Sequence, residues 1–200
     1  MRGTAFERRS GALDEQHPPC PQRDDEPAIC AAAVLSDSHP DIDAQLAAFA
    51  ERHRRAGLRV RGLVMTYPDG GNSCHGAMVL RDIDTADEYL VSQSLGSGSK
   101  GCRADPQGFA RASQVLRKAL AQAPDLVVCN RFGTLEAENS GFAAELLDLM
   151  AQGIPVFTVV AARHLQAWRS FSGDAPVLPA QPEAWDAWVH NLKVAFTGSA

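Results

Sequence analysis

Hydrophobic and polar positions along the chain alternate in a way that predicts strands and helices in turn. The apolar run at 28–35 suits a buried strand, and the β-branched content of 58–65 predicts a second one. Between them, apolar residues recur at helical spacing from Ile42, after a candidate N-cap at Asp41, until Gly57 ends the helix. The first third of the folded part is therefore expected to be strand, helix, strand.

Helix-start and strand signals continue through the second half of the chain. Asp105 followed by Pro106 is the order favoured at a helix N-terminus, and the apolar run at 126–129 predicts the next buried strand. The remaining expected elements are a helix with Phe142, Leu146, Leu149 and Met150 inward, a strand at 154–160, a helix at 164–171, and a closing helix that buries Trp185, Trp188, Val189, Leu192 and Phe196.

One segment interrupts this alternation. Residues 77–81 and 88–91 have the spacing of two antiparallel strands joined by an acidic turn. The other strands are apolar on both faces and alternate with amphipathic helices, which predicts a mostly parallel sheet between two helical layers. We therefore expect a three-layer α/β fold with a β-hairpin insertion. Ligands of such folds bind at the carboxyl ends of the strands, here 36–41, 130–136 and 161–164.

Composition divides the chain into a tail, a main domain and a C-terminal extension. Residues 1–27 hold four prolines among many charges with little apolar periodicity, so they are expected to form a flexible tail. Residues 28–175 are expected to form the α/β domain. Residues 176–200 are expected to be a linker followed by a capping helix, because prolines bound 176–182 and an amphipathic helix follows.

Charge and cysteine content exclude several classes of protein. The net charge of -5 and the lack of a basic run argue against nucleic-acid binding. No apolar stretch approaches 18 residues, so no membrane span is expected, and the N-terminus lacks the apolar core of a secretory signal. An odd cysteine count without a CxxC pair indicates reduced thiols and a cytoplasmic location. The five cysteines are Cys20, Cys30, Cys74, Cys102 and Cys129.

The residues after the strand at 126–129 read Asn130-Arg131-Phe132-Gly133-x-x-Glu136. Together with Gly62, Gly70-Gly71, the hairpin and the Gly101–Asp105 segment, this order resembles the small nucleoside-triphosphatases related to nucleotide kinases, whose second acidic motif reads Asp-Glu-Ile-Gly-x-Met-Glu. The chain is more closely similar to a bacterial family of unknown function whose members are sometimes labelled molybdenum-transporter ATP-binding proteins. The resemblance spans roughly residues 28–170 and implies a P-loop NTPase-like fold.

The chain departs from that family pattern at the positions that carry hydrolysis. A phosphate loop needs glycines, a lysine and a hydroxyl, whereas residues 36–43 contain neither glycine nor lysine and carry three aspartates that would repel phosphate. Asn130 stands where an acidic residue would hold magnesium, and it has no charge with which to do so. The resemblance therefore implies a degenerate relative, for which we expect no catalytic residue, no metal and no cofactor.

The Gly/Ser-rich segment 94–103 is the main candidate for ligand binding. Its glycines allow a nest of backbone N–H donors, and its serines and cations add donors and positive charge, which suits an oxyanion or a phosphate. The alternative is a mobile connector with solvated charges. The candidate binding residues are Ser97, Gly98, Ser99, Lys100 and Arg103.

Asn130, Arg131 and Glu136 are the second part of the candidate site, at the expected ligand edge of the sheet. Arg131 could bind an anion with two parallel hydrogen bonds, oriented by Glu136. The alternative is a structural ion pair and a turn at Gly133. Both interpretations stay open at the level of sequence.

Other polar residues have a simpler structural interpretation beside each functional one. Ser36, Asp37 and His39 could line a binding rim, but they also suit a strand-to-helix turn. His164 and Trp168 lie one helical turn apart and could line a pocket or pack in the core.

The cysteines suggest two further kinds of chemistry. Cys74-His75 with Cys102 could supply metal ligands, although no second closely spaced pair supports a zinc site. Cys102 beside Lys100 and Arg103 could be a thiol nucleophile, since cations lower a thiol pKa, but no histidine can be assigned as its base.

Three functions remain compatible with the sequence. The first is a non-hydrolysing binding protein for a small oxyanion, with molybdate or tungstate suggested by the family resemblance, or for a phosphate-bearing ligand. The second is a nucleoside-triphosphatase or phosphotransferase with a displaced phosphate site in the Gly/Ser-rich segment. The third is an interaction module that binds a protein partner or a second copy of the chain and no small ligand.

Overall fold

The structure is a computed structural model that describes residues 30–36, 40–68, 77–93 and 104–197, with side chains up to residue 192. Several sequence predictions lie outside the described residues: the tail at 1–27, Asp37 and His39, the Cys74-His75 pair, the candidate residues Ser97, Gly98, Ser99, Lys100 and Arg103, the thiol of Cys102, and the side chain of Phe196.

Seven strands of the described chain form one sheet, in the order β4-β3-β2-β5-β6-β1-β7. β1, β2, β5, β6 and β7 run parallel, whereas β3 and β4 form the antiparallel hairpin that the sequence predicts. The strands are β1 (Ala31–Leu35), β2 (Val60–Thr66), β3 (Val79–Asp82), β4 (Glu88–Leu90), β5 (Leu126–Phe132), β6 (Val156–Val160) and β7 (Val177–Leu178).

Helices cover both faces of this sheet, which confirms the three-layer α/β prediction. One face buries Phe49 and Phe157 against Trp185 of the last helix, and the other buries Leu116, Leu146 and Trp168. The helices are α1 (Ile42–Arg55), α2 (Pro106–Gln122), α3 (Thr134–Ala137), α4 (Ala143–Ala151), α5 (Leu165–Ser172) and α6 (Pro182–Thr197), with a 3₁₀ turn at Ala162–His164. In the described part of the chain, no helix is both long and apolar enough to cross a membrane.

The start of α2 follows the predicted capping chemistry. The Asp105 carboxylate accepts hydrogen bonds from the backbone N–H groups of Gln107 and Gly108, each at 3.1 Å, and Pro106 is the first helical residue. Asp41 holds the N-cap position of α1, but its side chain makes no capping hydrogen bond with the described residues. The first turn of α1 is therefore held by other contacts.

Two glycines allow backbone segments to approach closely. A Cβ atom at Gly62 in β2 would overlap the carbonyl oxygen of Val128 in β5, and one at Gly108 in α2 would overlap the carbonyl oxygen of Leu90. Gly62 also has φ of 120°, a conformation that residues with a side chain rarely adopt. These contacts fix the spacing of β2 against β5 and seat α2 on β4.

The structure corrects two sequence predictions. The segment 176–182 is not only a linker, because Val177–Leu178 pairs in parallel with β1 as the edge strand β7. The strand predicted at 126–129 runs on to Phe132, so Asn130 and Arg131 belong to β5 rather than to a loop. The sequence predicted an end at Cys129 because two consecutive polar residues after an apolar run are typical of a turn.

Candidate functional site

Four polar side chains meet at the carboxyl edge of the sheet, where ligands of parallel α/β folds bind. Asn130 and Arg131 lie near the end of β5, and Tyr67 follows the end of the neighbouring strand β2. Asp43 reaches the same place from the first turn of α1. We call Asp43, Tyr67, Asn130 and Arg131 the Asp43 cluster.

The Asp43 carboxylate is the centre of this cluster and accepts every hydrogen bond in it. Its Oδ1 accepts from Asn130 Nδ2 and from Arg131 Nη2, both at 2.8 Å. Its Oδ2 accepts from the Tyr67 hydroxyl at 2.8 Å and from the same Arg131 nitrogen at 3.0 Å. Hydroxyl, amide and guanidinium donors from two strand ends thus converge on one carboxylate.

Burial and charge make this arrangement a neutral, partly covered ion pair. Asp43 and Asn130 are buried, whereas the Arg131 side chain is 34% exposed. A buried carboxylate is costly unless its lone pairs and its charge are matched, and here both are. Arg131 uses only Nη2 for this purpose, and its Nε and Nη1 make no hydrogen bond to another described residue. Part of the guanidinium thus faces outward with unused donors.

The side-chain amide of Asn130 uses its nitrogen but not its oxygen in hydrogen bonds to the described residues. Its Nδ2 must face Asp43, because a carboxylate accepts hydrogen bonds and cannot donate them. Its Oδ1 is buried and has no hydrogen-bond partner among the described residues. An unsatisfied buried acceptor costs about 1–3 kcal/mol. The cluster therefore keeps an unused acceptor beside its unused guanidinium donors.

Glu136 has a different role from the one considered from sequence. Among the described residues its carboxylate accepts from the backbone N–H groups of Gly133 and Phe142, each at 3.0 Å, while Arg131 is oriented by Asp43. Burial raises the pKa of Glu136, and the two backbone hydrogen bonds oppose that rise. A Cβ at Gly141 would overlap this carboxylate. Glu136 thus braces the connection from β5 to α4.

This bracing predicts the effect of replacing Glu136 by glutamine. One backbone N–H group would then face an amide NH₂, which should lower the free energy of unfolding by about 1–3 kcal/mol in urea titrations. The raised pKa gives the sign of the pH dependence. The carboxyl of the folded protein keeps its proton to a higher pH than that of the unfolded chain, whose pKa is about 4.5. The contribution of Glu136 to the free energy of unfolding therefore falls as pH rises above about 4.5 and through the folded pKa.

The pH-dependent difference between wild type and Glu136→Gln isolates this group from the other carboxyls. A stability difference that does not change with pH above about 4.5 would contradict the raised pKa.

The Gly/Ser-rich segment starts and ends at the same edge of the sheet. Ser92 and Ala104 form an antiparallel bridge beside the end of β4, and the Ser92 hydroxyl accepts from the backbone N–H of Met78. From β4 to β5 is three strand spacings, or about 14 Å. Ser92 and Ala104, the described residues on either side of the segment, therefore lie three strand positions away from the strand that carries Arg131.

Two further candidates have structural roles, Trp168 through packing and His164 through hydrogen bonds. Trp168 is fully buried against Phe132, with ring centroids 5.4 Å apart, so it belongs to the core. His164 is partly exposed; its Nε2 lies 3.3 Å from the Thr134 hydroxyl and accepts from Arg163 Nε at 3.1 Å. His164 thus links the segment that follows β6 to the segment that follows β5.

Cys129 lies inside β5, and burial raises the pKa of its thiol well above the usual range, so it is a core residue. No three His, Cys, Asp or Glu side chains group as metal ligands within the described ranges. Ser36 joins the sheet through its backbone N–H, which donates to the carbonyl of Val160.

Sequence reasoning missed the partnership of Asp43 and Tyr67. From sequence, Asp43 was only one of three aspartates expected to repel phosphate, and Tyr67 was assigned no role. The usable signal was positional. Asp43 lies in the first helical turn after one strand, Tyr67 directly follows another, and both positions lie at the edge of the sheet where Asn130 and Arg131 stand near the end of β5.

The chain belongs to the family described as "Protein of unknown function (DUF2478)", whose model matches residues 31–188 and so includes the whole Asp43 cluster. It is also 38% identical over 158 residues to the molybdenum import ATP-binding protein ModC 2 of Bradyrhizobium diazoefficiens. That match covers 78% of this chain but only 18% of the relative. The chain thus spans less than a fifth of the length of the curated relative that it matches.

Proposed function

We propose that the chain is a non-hydrolysing binding protein that recognises a small oxyanion, or a phosphate-bearing ligand, at the carboxyl edge of its sheet. The observation that carries this proposal is the exposure and the hydrogen bonding of the Arg131 guanidinium. Its guanidinium is one-third exposed, is held in place through Nη2 alone, and keeps Nε and Nη1 without a hydrogen bond to any other described residue. A fixed guanidinium with unused parallel donors suits an oxyanion.

The remaining donors support the same ligand class. The Tyr67 hydroxyl and the Asn130 amide already donate to a carboxylate, and this supports a site for a negatively charged oxygen pair at this corner of the sheet. The proposal adds Ser97, Gly98, Ser99, Lys100 and Arg103 as donors from the segment that begins and ends at the same edge.

Loss of hydrolysis is the second element of the proposal. The connection from β1 to α1 carries no glycine or lysine that could hold a triphosphate, and Asp43 places a negative charge in the first turn of α1. Asn130 uses its amide N–H to bind Asp43 and brings no charge for magnesium. These features favour binding over catalysis.

Molybdate and tungstate are the first ligands to test because of the name of the relative. That protein is named for molybdenum import, and the matched stretch is a small part of it. We infer that the family domain serves such a system as a ligand-binding part. The proposal places the chain in the cytoplasm, where a reduced thiol such as that of Cys129 persists.

Calorimetric titration with molybdate, tungstate, sulfate, phosphate and ATP tests the proposal. We expect one of these anions to bind the wild type, and Arg131→Ala to weaken that binding about tenfold, or about 1.4 kcal/mol. Arg169→Ala is the matched control, since Arg169 is an exposed arginine in the last turn of α5 and lies outside both the Asp43 cluster and the strand ends where ligands are expected. It should leave the affinity within about twofold of the wild type.

No binding of any of the five anions would contradict the proposal and favour an interaction module that binds a protein partner or a second copy of the chain. Phosphate release from magnesium ATP or GTP should stay far below about 1 s⁻¹. Faster release that is lost in Lys100→Ala would instead support the enzyme with a displaced phosphate site.

A further inference from the structure

We propose that Asp43 is a built-in occupant of the oxyanion site, which the ligand must displace to bind. This inference rests on the proposed function and concerns what sets its affinity and selectivity. It starts from the finding that the donors of the Asp43 cluster are not vacant: Tyr67, Asn130 and Arg131 all donate to one carboxylate of the chain itself.

The hydrogen-bond pattern is that of a bound anion. Both Asp43 oxygens are used, Oδ1 by two donors and Oδ2 by two, at distances from 2.8 to 3.0 Å. Capping of α1 does not explain the geometry, because Asp43 is the second helical residue and its side chain points to β2 and β5 rather than to the N–H groups of its own turn. The carboxylate fills the site as a ligand oxygen pair would.

Charge explains why an external anion and Asp43 cannot share the site. Arg131 is the only cation among the cluster's described members, and the Asp43 carboxylate already neutralises it within 3.0 Å. A second anion at the guanidinium would lie within a few ångströms of that carboxylate, where like charges repel strongly in a partly buried site. Removing the Asp43 charge should therefore strengthen anion binding.

The need to displace the Asp43 carboxylate also determines which anions can bind. To replace Asp43 without loss, an anion must offer acceptors to a hydroxyl, an amide and a guanidinium at once. A tetrahedral dianion such as molybdate or sulfate has four oxygens for these donors and twice the charge of a carboxylate. Formate and acetate present only the two oxygens that Asp43 already supplies, so they should compete poorly with the wild type.

Asp43→Ala provides the test. It removes the competing charge and opens a carboxylate-sized space lined by donors, so we expect molybdate to bind at least tenfold more tightly than to the wild type in calorimetry. Formate and acetate should raise the melting temperature of Asp43→Ala but not that of the wild type. Asp41→Ala is the matched control, because Asp41 lies in the same turn, is exposed, and makes no capping hydrogen bond with the described residues.

Asp43→Asn keeps the side-chain volume if the alanine variant does not fold, and tighter anion binding is expected there too. The double variant Asp43→Ala/Arg131→Ala should lose the gain. Wild-type binding with equal or weaker binding by both Asp43 variants would overturn the occupant inference alone. No oxyanion binding by the wild type or by either Asp43 variant would overturn the proposed function itself.

Discussion

Replacing Gly62 by alanine should lower the free energy of unfolding by about 3 kcal/mol or more. Gly62 pairs with Val128 where β2 and β5 form the middle of the sheet, and a Cβ there would overlap the Val128 carbonyl oxygen. The residue also has φ of 120°, so relief by a small side-chain rotation is impossible. Either the strands move apart or the backbone changes conformation, and both lose packing in the centre of the fold.

Thermal and urea unfolding would measure this effect, with an expected fall in melting temperature of about 6–12 °C for a domain of this size. Gly57→Ala is the control, because Gly57 also has positive φ, 91°, but a Cβ there would meet no atom of the described residues within 4 Å. It should cost only about 1 kcal/mol, from backbone strain alone. Equal losses in the two variants would show that contact with Val128 does not matter.

Trp185→Ala should be comparably damaging, with an expected loss of about 3–5 kcal/mol. The indole is fully buried, and its ring centroid lies 5.7 Å from that of Phe49 in α1 and 5.6 Å from that of Phe157 in β6. Its Nε1 donates to the carbonyl of Pro179 at 2.8 Å. Trp185 thus joins α6 to the sheet, to α1 and to the segment that carries β7.

The control for this variant is Trp188→Ala, one turn away on the same helix. Trp188 packs against Phe157 at 5.4 Å but is only partly buried, so its loss should cost about half as much. Trp185→Phe should keep most of the stability and lose about 1 kcal/mol with the Pro179 hydrogen bond. A small effect of Trp185→Ala would mean that α6 is an appendage, contrary to its packing.

The layered fold was readable from sequence because each central strand is apolar on both faces. Such runs as 31–35 and 156–160 can be buried only between two helical layers, so alternation with amphipathic helices was enough. The capping pair Asp105 and Pro106 was equally local and was confirmed at the start of α2. Features that depend on neighbouring residues in the chain were predicted well.

Features that depend on residues distant in the chain were not predicted. The edge strand β7 has only two residues, and nothing local distinguishes Val177–Leu178 from a linker until β1 lies beside it. The end of β5 was misplaced for the same reason. Asn130 can be buried in a strand because Asp43, 87 residues earlier, accepts its hydrogen bond.

Within the site, sequence reasoning located the residues better than it located their partners. Asn130 and Arg131 were assigned to the carboxyl edge of the sheet, and the structure places them there. The nearest acid in sequence, Glu136, was considered as the partner of Arg131, yet Gly133 and Phe142 occupy its carboxylate. A choice among several carboxylates requires the strand order, because only the order shows that α1 and β2 meet the end of β5.

The position of β1 in the sheet has a consequence for how the protein is made. Its partners β6 and β7 follow about 125 and 144 residues later in the chain, as the pairs Ala31↔Val156 and Ala33↔Val177 show. At about 5–20 residues per second, a ribosome needs about 6–25 s to supply the first of them. For that time an apolar strand with two open edges must avoid wrong partners, and pairings of such long sequence separation form slowly. Nascent chains arrested before Val156 should therefore bind chaperones that recognise exposed apolar segments, whereas completed chains should release them.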